Sequence, residues 1–180
     1  MELDEFLKEW NNECTTVEVQ TSGSTGVPKK MRVEKARMVA SAVKTCDFLG
    51  LRPGDSALLC MPLQYIAGKM MVVRSIVRGL KLVSVHPSSE PLLLTDEHID
   101  FAAMVPMQVI KTLESDEGRR KFKQIRNVII GGGAIDPALE AQLKDFPNAV
   151  WSTYGMTETL SHIAMRRLSG ETAGKWYTCL

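Results

Sequence analysis

The stretch TSGSTGVPKK, residues 21–30, brings four hydroxyls, two glycines, a proline and two lysines into ten positions. Glycines at 23 and 26 let the backbone approach a ligand closely and adopt positive φ. Successive N–H groups in such a loop form an anion-binding nest. Thr21, Ser22, Ser24 and Thr25 supply donors for phosphate oxygens, and Lys29 or Lys30 supplies the counter-charge. A plain polar turn has the same composition, so phosphate binding and a turn both stay open at this point. A Walker loop does not fit. It requires G-x-x-x-x-G-K-[ST], whereas Gly23 and Gly26 are three apart, Val27-Pro28 precede Lys29, and Lys30 stands where a hydroxyl is needed.

Two further stretches carry groups that do chemistry. IIGGGAID (129–136) is a strand–glycine–helix junction. Gly131 and Gly133 satisfy part of a dinucleotide fingerprint, but its third glycine position is Asp136, which reads better as a helix N-cap ahead of Pro137. One tight turn does not need three glycines, so close approach of a ligand to the backbone is the second reading. STYGMTETLSH (152–162) gathers an aromatic face in Tyr154, a hydroxyl in Thr157 and a carboxylate in Glu158. These suit base stacking, a phosphate oxygen and Mg²⁺ respectively. His162, the lone histidine nearby, reads as structural or exposed rather than catalytic.

The elements that must position these stretches follow from periodicity. Strands are expected at 15–20, 31–33, 56–63, 80–85, 98–105, 127–130 and 149–155. Helices are expected over 1–10, Glu34–Leu49, Ala67–Arg78, from Pro106, and from Pro137 with Leu139, Leu143 and Phe146 on one face. ESDEGRRKFKQ (114–124) reads as a solvated charged loop or helix end, and HPSSEPLLLTDE (86–97) as a connecting loop. The alternation predicts an α/β fold with a largely parallel sheet or sheets flanked by helices.

Composition excludes several classes. In 180 residues with 44% hydrophobic content there is room for one domain with a sizeable core. A net charge of +1 gives no global bias toward nucleic acid or membrane surfaces. The longest apolar run, around Met70–Val73, is too short to span a bilayer, and Met1–Trp10 reads as an acidic amphipathic helix rather than a leader. Cys14, Cys46, Cys60 and Cys179 show no metal-ligand spacing and are expected to be reduced, partly buried thiols of a cytoplasmic protein.

Taken together, the three stretches resemble the adenylate-forming family of acyl-CoA synthetases, luciferases and peptide-synthetase adenylation domains. TSGSTGVPK matches that family's [ST]-S-G-[ST]-T-G-x-P-K signature, YGMTE matches Y-G-x-T-E, and the glycine turn lies between them in order. MPLQYIAGKMMVVRSIVRG (61–79) and YGMTETLSHIAMRRLSG (154–170) are similar to the o-succinylbenzoate–CoA ligase branch, with Tyr65 where many relatives carry His. The resemblance implies ATP-dependent activation of a carboxylate as its acyl-adenylate, then transfer to coenzyme A, with Mg²⁺ as cofactor. It implies catalytic roles for Lys29, Thr157 and Glu158, the last as Mg²⁺ ligand. Thr21, Ser22, Gly23, Ser24, Thr25, Gly26 and Lys29 would cradle phosphates. Gly132, Gly133, Ala134, Tyr154, Gly155, Met156 and Thr157 would hold the adenosine and α-phosphate. Tyr65, Gly68 and Gly131 would line the acyl site.

An aromatic dicarboxylic acid needs a partner for the carboxylate that is not activated. Lys69 and Arg74 lie on the helix beside the acyl site, and either they serve that carboxylate or they are solvent-facing helix charges. The family extends well past Y-G-x-T-E, so residues 1–180 are expected to be part of the large N-terminal AMP-binding domain without the small C-terminal one. Such a piece would bind ATP weakly and not turn over, and its uncovered surface leaves self-association open. The alternatives are another carboxylate-activating synthetase or adenylation domain, a non-catalytic nucleotide-binding module, and a structural α/β domain.

Overall fold

The computed structural model describes residues 1–20 and 30–180. Helix α1 (Leu3–Asn11) precedes the antiparallel pair β1 (Thr16–Gln20) and β2 (Lys30–Glu34). There follow α2 (Lys35–Phe48), β3 (Ser56–Leu59), α3 (Ile66–Arg78), β4 (Lys81–Ser84) and a 3₁₀ turn at Pro91–Leu94. The rest is β5 (Phe101–Met104), α4 (Pro106–Glu114), α5 (Asp116–Gln124), β6 (Asn127–Ile130), α6 (Pro137–Leu143), β7 (Ala149–Gly155), β8 (His162–Arg167) and β9 (Thr178–Cys179).

Strands β3 to β9 form one sheet in the order β4-β3-β5-β6-β7-β8-β9. Pairing is parallel from β4 to β7 and antiparallel from β7 to β9. Every residue of β3, β5 and β6 is buried, as expected of parallel strands covered on both faces. Their alternation assigns the two faces. Ala57, Leu59, Phe101, Ala103 and Ile129 pack with Met38, Ala42 and Cys46 of α2 and Met70 to Val73 of α3. Leu58, Ala102, Met104, Val128 and Ile130 pack with Val109 and Leu113 of α4, Phe122 of α5, and Leu139 and Leu143 of α6. The sheet is thus the middle of three layers, α/β/α.

The predicted α/β class and parallel sheet are found, with differences in detail. The strands expected over 56–63, 80–85 and 98–105 are shorter, because their flanks turn out into loops at the strand ends. The charged stretch 114–124 is a helix over most of its length. Ser115 caps it by accepting from Gly118 N at 3.1 Å, acidic residues occupy its first turn, and buried Phe122 anchors it edge-on to Phe146. Strands β8 and β9 were not legible as such. All four cysteines are free, with Cys46 and Cys60 buried and Cys14 and Cys179 exposed. No helix among the described residues is long and apolar enough to cross a membrane.

An ion pair with a buried lysine fastens the small β1–β2 sheet to helix α3. The Lys69 ammonium, 1% exposed, donates to Glu9 Oε2 at 3.0 Å and to the Glu18 carbonyl at 2.7 Å, and lies 5.0 Å from the centre of the Phe6 ring. Glu9 Oε1 accepts from Glu18 N at 2.9 Å, so one carboxylate joins α1, α3 and β1. Lys69 is therefore neither a solvent-facing charge nor a substrate ligand, and both readings are corrected here. Lys69→Ala is expected to cost about 2–4 kcal/mol, since it strands a carboxylate and a buried carbonyl. Urea denaturation should show a lower midpoint at unchanged slope; an unchanged midpoint would show that α1 and β1 are held by apolar packing alone.

Candidate functional site

Parallel strands place their carboxyl ends on one edge of a sheet, where open α/β sheets bind ligands. A cleft of about 1190 Å³ lies there. Its walls come from the segments leaving β3 (Cys60–Ala67), β5 (Met104, Val105), β6 (Gly131–Gly133) and β7 (Gly155–His162). Gln20, the last residue of β1, also borders it, because Gln20 N donates to Gln64 O at 3.3 Å and Gln20 bridges to Tyr65. Residues 21–29, with the phosphate-cradle assignments to Thr21, Ser22, Gly23, Ser24, Thr25, Gly26 and Lys29, lie outside the described residues. Gln20 and Lys30, the described residues on either side of that segment, are paired neighbours in the β1–β2 sheet. Lys30 is held by Glu18 Oε1 at 2.9 Å.

The glycine turn divides by cause. A Cβ on Gly131 would lie 2.4 Å from Thr153 Oγ1, so strand packing requires that glycine, while Gly132 has φ +76°. A Cβ on Gly133 would meet only ordinary contacts with Pro106 at 3.7 Å. Nothing in the local packing demands that third glycine, which faces the cleft. Ala134 is exposed and not part of the cleft wall. Asp136 caps α6, accepting from Leu139 N at 2.9 Å, as its position before Pro137 predicts.

The end of β7 carries Tyr154 and Gly155 and its connection to β8 carries Met156, Thr157 and Glu158, all of which border the cleft. Tyr154 is 57% exposed and meets Tyr177 edge-on at 6.1 Å. A Cβ on Gly155 would sit 2.5 Å from both His162 Cα and Ser161 O, so only glycine closes the base of this hairpin. Thr159 Oγ1 accepts from Met156 N at 2.8 Å, with Met156 O and Ser161 O within 3.0 and 2.9 Å for its own proton. Leu160 is buried and has φ 72°, a left-handed conformation that costs a side-chain-bearing residue roughly 1–3 kcal/mol and is held by its surroundings.

The acyl-site predictions separate. Tyr65 borders the cleft at the start of α3. Gly68 does not: a Cβ there would be 2.5 Å from the Pro62 carbonyl, so its role is to seat α3 on the Met61–Pro62 turn. Arg74 borders the cleft and is 2% exposed, which overturns its reading as a solvent-facing charge. Its Nη2 donates to Ser161 Oγ at 2.9 Å, its Nε has no partner, and it pairs with no carboxylate among the described residues. Burial pulls its pKa down to about 10, so it remains a cation at neutral pH. Met61, Met70 and Met104 add apolar, polarisable wall to the same cleft.

Three residues at or behind the cleft have contacts that the sequence does not show, although His162 is structural, as its reading has it. Gln108 is buried and ties the rim together, donating to Cys60 O at 3.3 Å and Ser88 O at 2.8 Å and accepting from Val105 N at 3.1 Å. A glutamine two residues after a helix-opening proline was the available signal. Thr45 and His162 form a pair, Oγ1 to Nε2 at 3.0 Å. The Thr45 hydroxyl proton is committed to Ser41 O at 3.0 Å, so His162 must donate from Nε2 and carry its lone pair on Nδ1. Burial first, and the Arg74 charge second, push the His162 pKa down to about 3. No spacing in the sequence shows that α2 reaches this strand.

A histidine depressed in this way is neutral when folded but protonates in the unfolded chain below about pH 6.5. Stability is therefore expected to fall as pH drops from about 6.5 toward 3, and His162→Gln should flatten that slope in denaturant titrations at pH 6.5 and 4.5. Ring ¹⁵N spectra should show a single neutral Nε2–H tautomer at pH 5–7. An ordinary titration near pH 6.5 would contradict the arrangement.

With this geometry in view, the relatives of the chain fall into place. A family model described as AMP-binding enzyme matches residues 16–178. The 2-succinylbenzoate–CoA ligase of Bacillus cytotoxicus is 33% identical over 151 residues, covering 81% of this chain and 31% of that protein. An acyl-CoA synthetase (AMP-forming)/AMP-acid ligase II-like protein from Dyadobacter fermentans has a similar structure, with a TM-score of 0.91 at 38% identity over 98% of this chain and 51% of that one. The o-succinylbenzoate coenzyme A synthetase of Bacillus subtilis, solved with ATP and magnesium ion, gives a TM-score of 0.70 at 26% identity over 84% of this chain and 32% of its own. The chain thus spans less than a third of the curated relative's length. Because the family match runs from the first residue of β1 to the first residue of β9, and so takes in every segment that walls the cleft, the chain belongs to the AMP-binding enzymes.

Proposed function

We propose that these 180 residues are part of the large AMP-binding domain of an ATP-dependent acid–CoA ligase that activates o-succinylbenzoate. The observation that carries this reading is Arg74. A guanidinium that is 2% exposed, lacks a carboxylate partner among the described residues and borders a cleft with methionines in its wall is costly unless an anion completes it. An aromatic dicarboxylate supplies that anion with the carboxylate it does not activate, while the methionine wall takes the ring. The substrates of the named relatives point the same way.

In the proposed reaction the free carboxylate attacks the α-phosphorus of ATP. An acyl–oxygen–phosphorus bond forms and pyrophosphate leaves. The thiol of coenzyme A then attacks the acyl carbon, loses its proton, and AMP leaves with the bonding pair. Tyr154 offers the adenine an exposed ring face at the cleft, beside the backbone of Gly132 and Gly133. Gly155, Met156 and Thr157 bring backbone and hydroxyl to the α-phosphate side, and Lys29 is assigned the terminal phosphates by sequence. Glu158, an exposed carboxylate on the cleft wall, fits the single-carboxylate anchoring typical of phosphate-bound Mg²⁺ and would hold that ion, which neutralises phosphate charge.

For a chain of this span, ligand binding is the direct measure. Calorimetric titration of o-succinylbenzoate should give saturable binding. Arg74→Ala should weaken it at least about tenfold, the loss expected of a charge-assisted hydrogen-bonded pair. Arg74→Lys should recover part of the loss. Equal affinity of wild type and Arg74→Ala for o-succinylbenzoate would sink the assignment.

A further inference from the structure

The cation of the acid cleft and the hairpin that presents Thr157 and Glu158 share one hydrogen bond. Arg74 Nη2 donates to Ser161 Oγ at 2.9 Å. From Ser161 the chain runs back through Leu160, whose N–H donates to Thr157 O at 2.9 Å, closing the turn that carries Thr157 and Glu158. Ser161 O lies 2.9 Å from Thr159 Oγ1, which also holds Met156 N. The next residue, His162, is pinned to α2 by Thr45 and packed against Gly155 without room for a Cβ. The hairpin is internally cross-linked, carries a left-handed non-glycine residue and is fixed at its base. It therefore responds to a displacement at Ser161 as a unit rather than by local bending.

Arg74 itself is incompletely bonded: its Nε has no partner, and Ser161 Oγ is its one side-chain acceptor among the described residues. A carboxylate that docks on this guanidinium changes its position and its share of the Ser161 hydrogen bond, and through it the register of the turn. Conversely, a nucleotide that orders the turn fixes Ser161 and so preorganises Arg74. No other side-chain hydrogen bond among the described residues joins Arg74 to this hairpin.

We propose that Ser161 is a positioning residue that couples the two subsites, so that an aromatic dicarboxylate at Arg74 and an adenine nucleotide at the Thr157 hairpin bind with mutual reinforcement. The proposal rests on the acid assignment to Arg74 made above. Equilibrium coupling is reciprocal, so the same factor must appear whichever ligand is added first.

The test is a two-ligand cycle on the 180-residue chain with o-succinylbenzoate and AMP, a pair that cannot react with each other. In wild type each ligand should tighten the other by about fivefold or more, within the usual range of such couplings. Ser161→Ala should bring that factor close to one, and Ser161→Thr, which keeps the hydroxyl, should restore it. A merely structural role would change both affinities without abolishing the ratio. An unchanged ratio in Ser161→Ala, or a ratio of one in wild type that binds both ligands, would overturn the coupling while leaving the acid assignment intact. Absence of o-succinylbenzoate binding to wild type would overturn both.

Discussion

Parallel pairing of β3, β5, β6 and β7 is the constraint from which the site follows. Each crossover must return the chain to the same end of the sheet, so every segment leaving a strand emerges along one edge. Residues separated by a hundred positions or so, such as Tyr65 and Thr157, come to border one cleft without any local signal linking them. The burial of both faces makes the register unforgiving. A slip of one residue in β5 would carry Phe101 and Ala103 from the α2–α3 face to the α4–α6 face and move Met104 off the cleft.

The departure from parallel pairing matters as much. At Tyr154/Gly155 the β7–β8 register shifts, and the chain reverses through a short hairpin instead of a helix. This keeps Thr157 and Glu158 at the cleft instead of carrying them over a face of the sheet. Gly155 permits the close return and Leu160 absorbs its cost in an unfavourable φ. A strained side-chain-bearing residue persists only where neighbours over-determine it, and here they do: Leu160 is packed in the core and flanked by the Thr159 cross-links.

Local signals were therefore legible in the sequence and long-range ones were not. Apolar runs such as NVII, the Asp136–Pro137 cap and the glycines at 131 and 132 declare themselves through backbone chemistry alone. Helix α5 was obscured because its charge density hides one anchoring residue, Phe122, and a serine cap. Strand β8 was obscured because its intermediate burial gives HIAMRR no clean alternation. Lys69 and Arg74 illustrate the limit most clearly. Five residues apart on one helix, with the same sign of charge, they are equivalent in composition. Only the packing of α1 against α3 reveals that one is neutralised by Glu9 while the other faces the cleft with no carboxylate partner among the described residues.

That difference bears on how a buried cation is kept available. Placing His162 beside Arg74 adds a titratable group within reach of a second positive charge, which in low dielectric would disfavour binding both protons. Burial and the Arg74 charge keep the imidazole neutral, and the Thr45 hydroxyl, with its proton given to Ser41 O, selects the tautomer that donates from Nε2. Among the described residues that border the cleft, Arg74 is the one permanent positive charge, and Met61, Met70 and Met104 add apolar wall to the same cleft. A buried guanidinium of this kind favours one anionic group beside it and leaves a second anion at the same point desolvated without a partner.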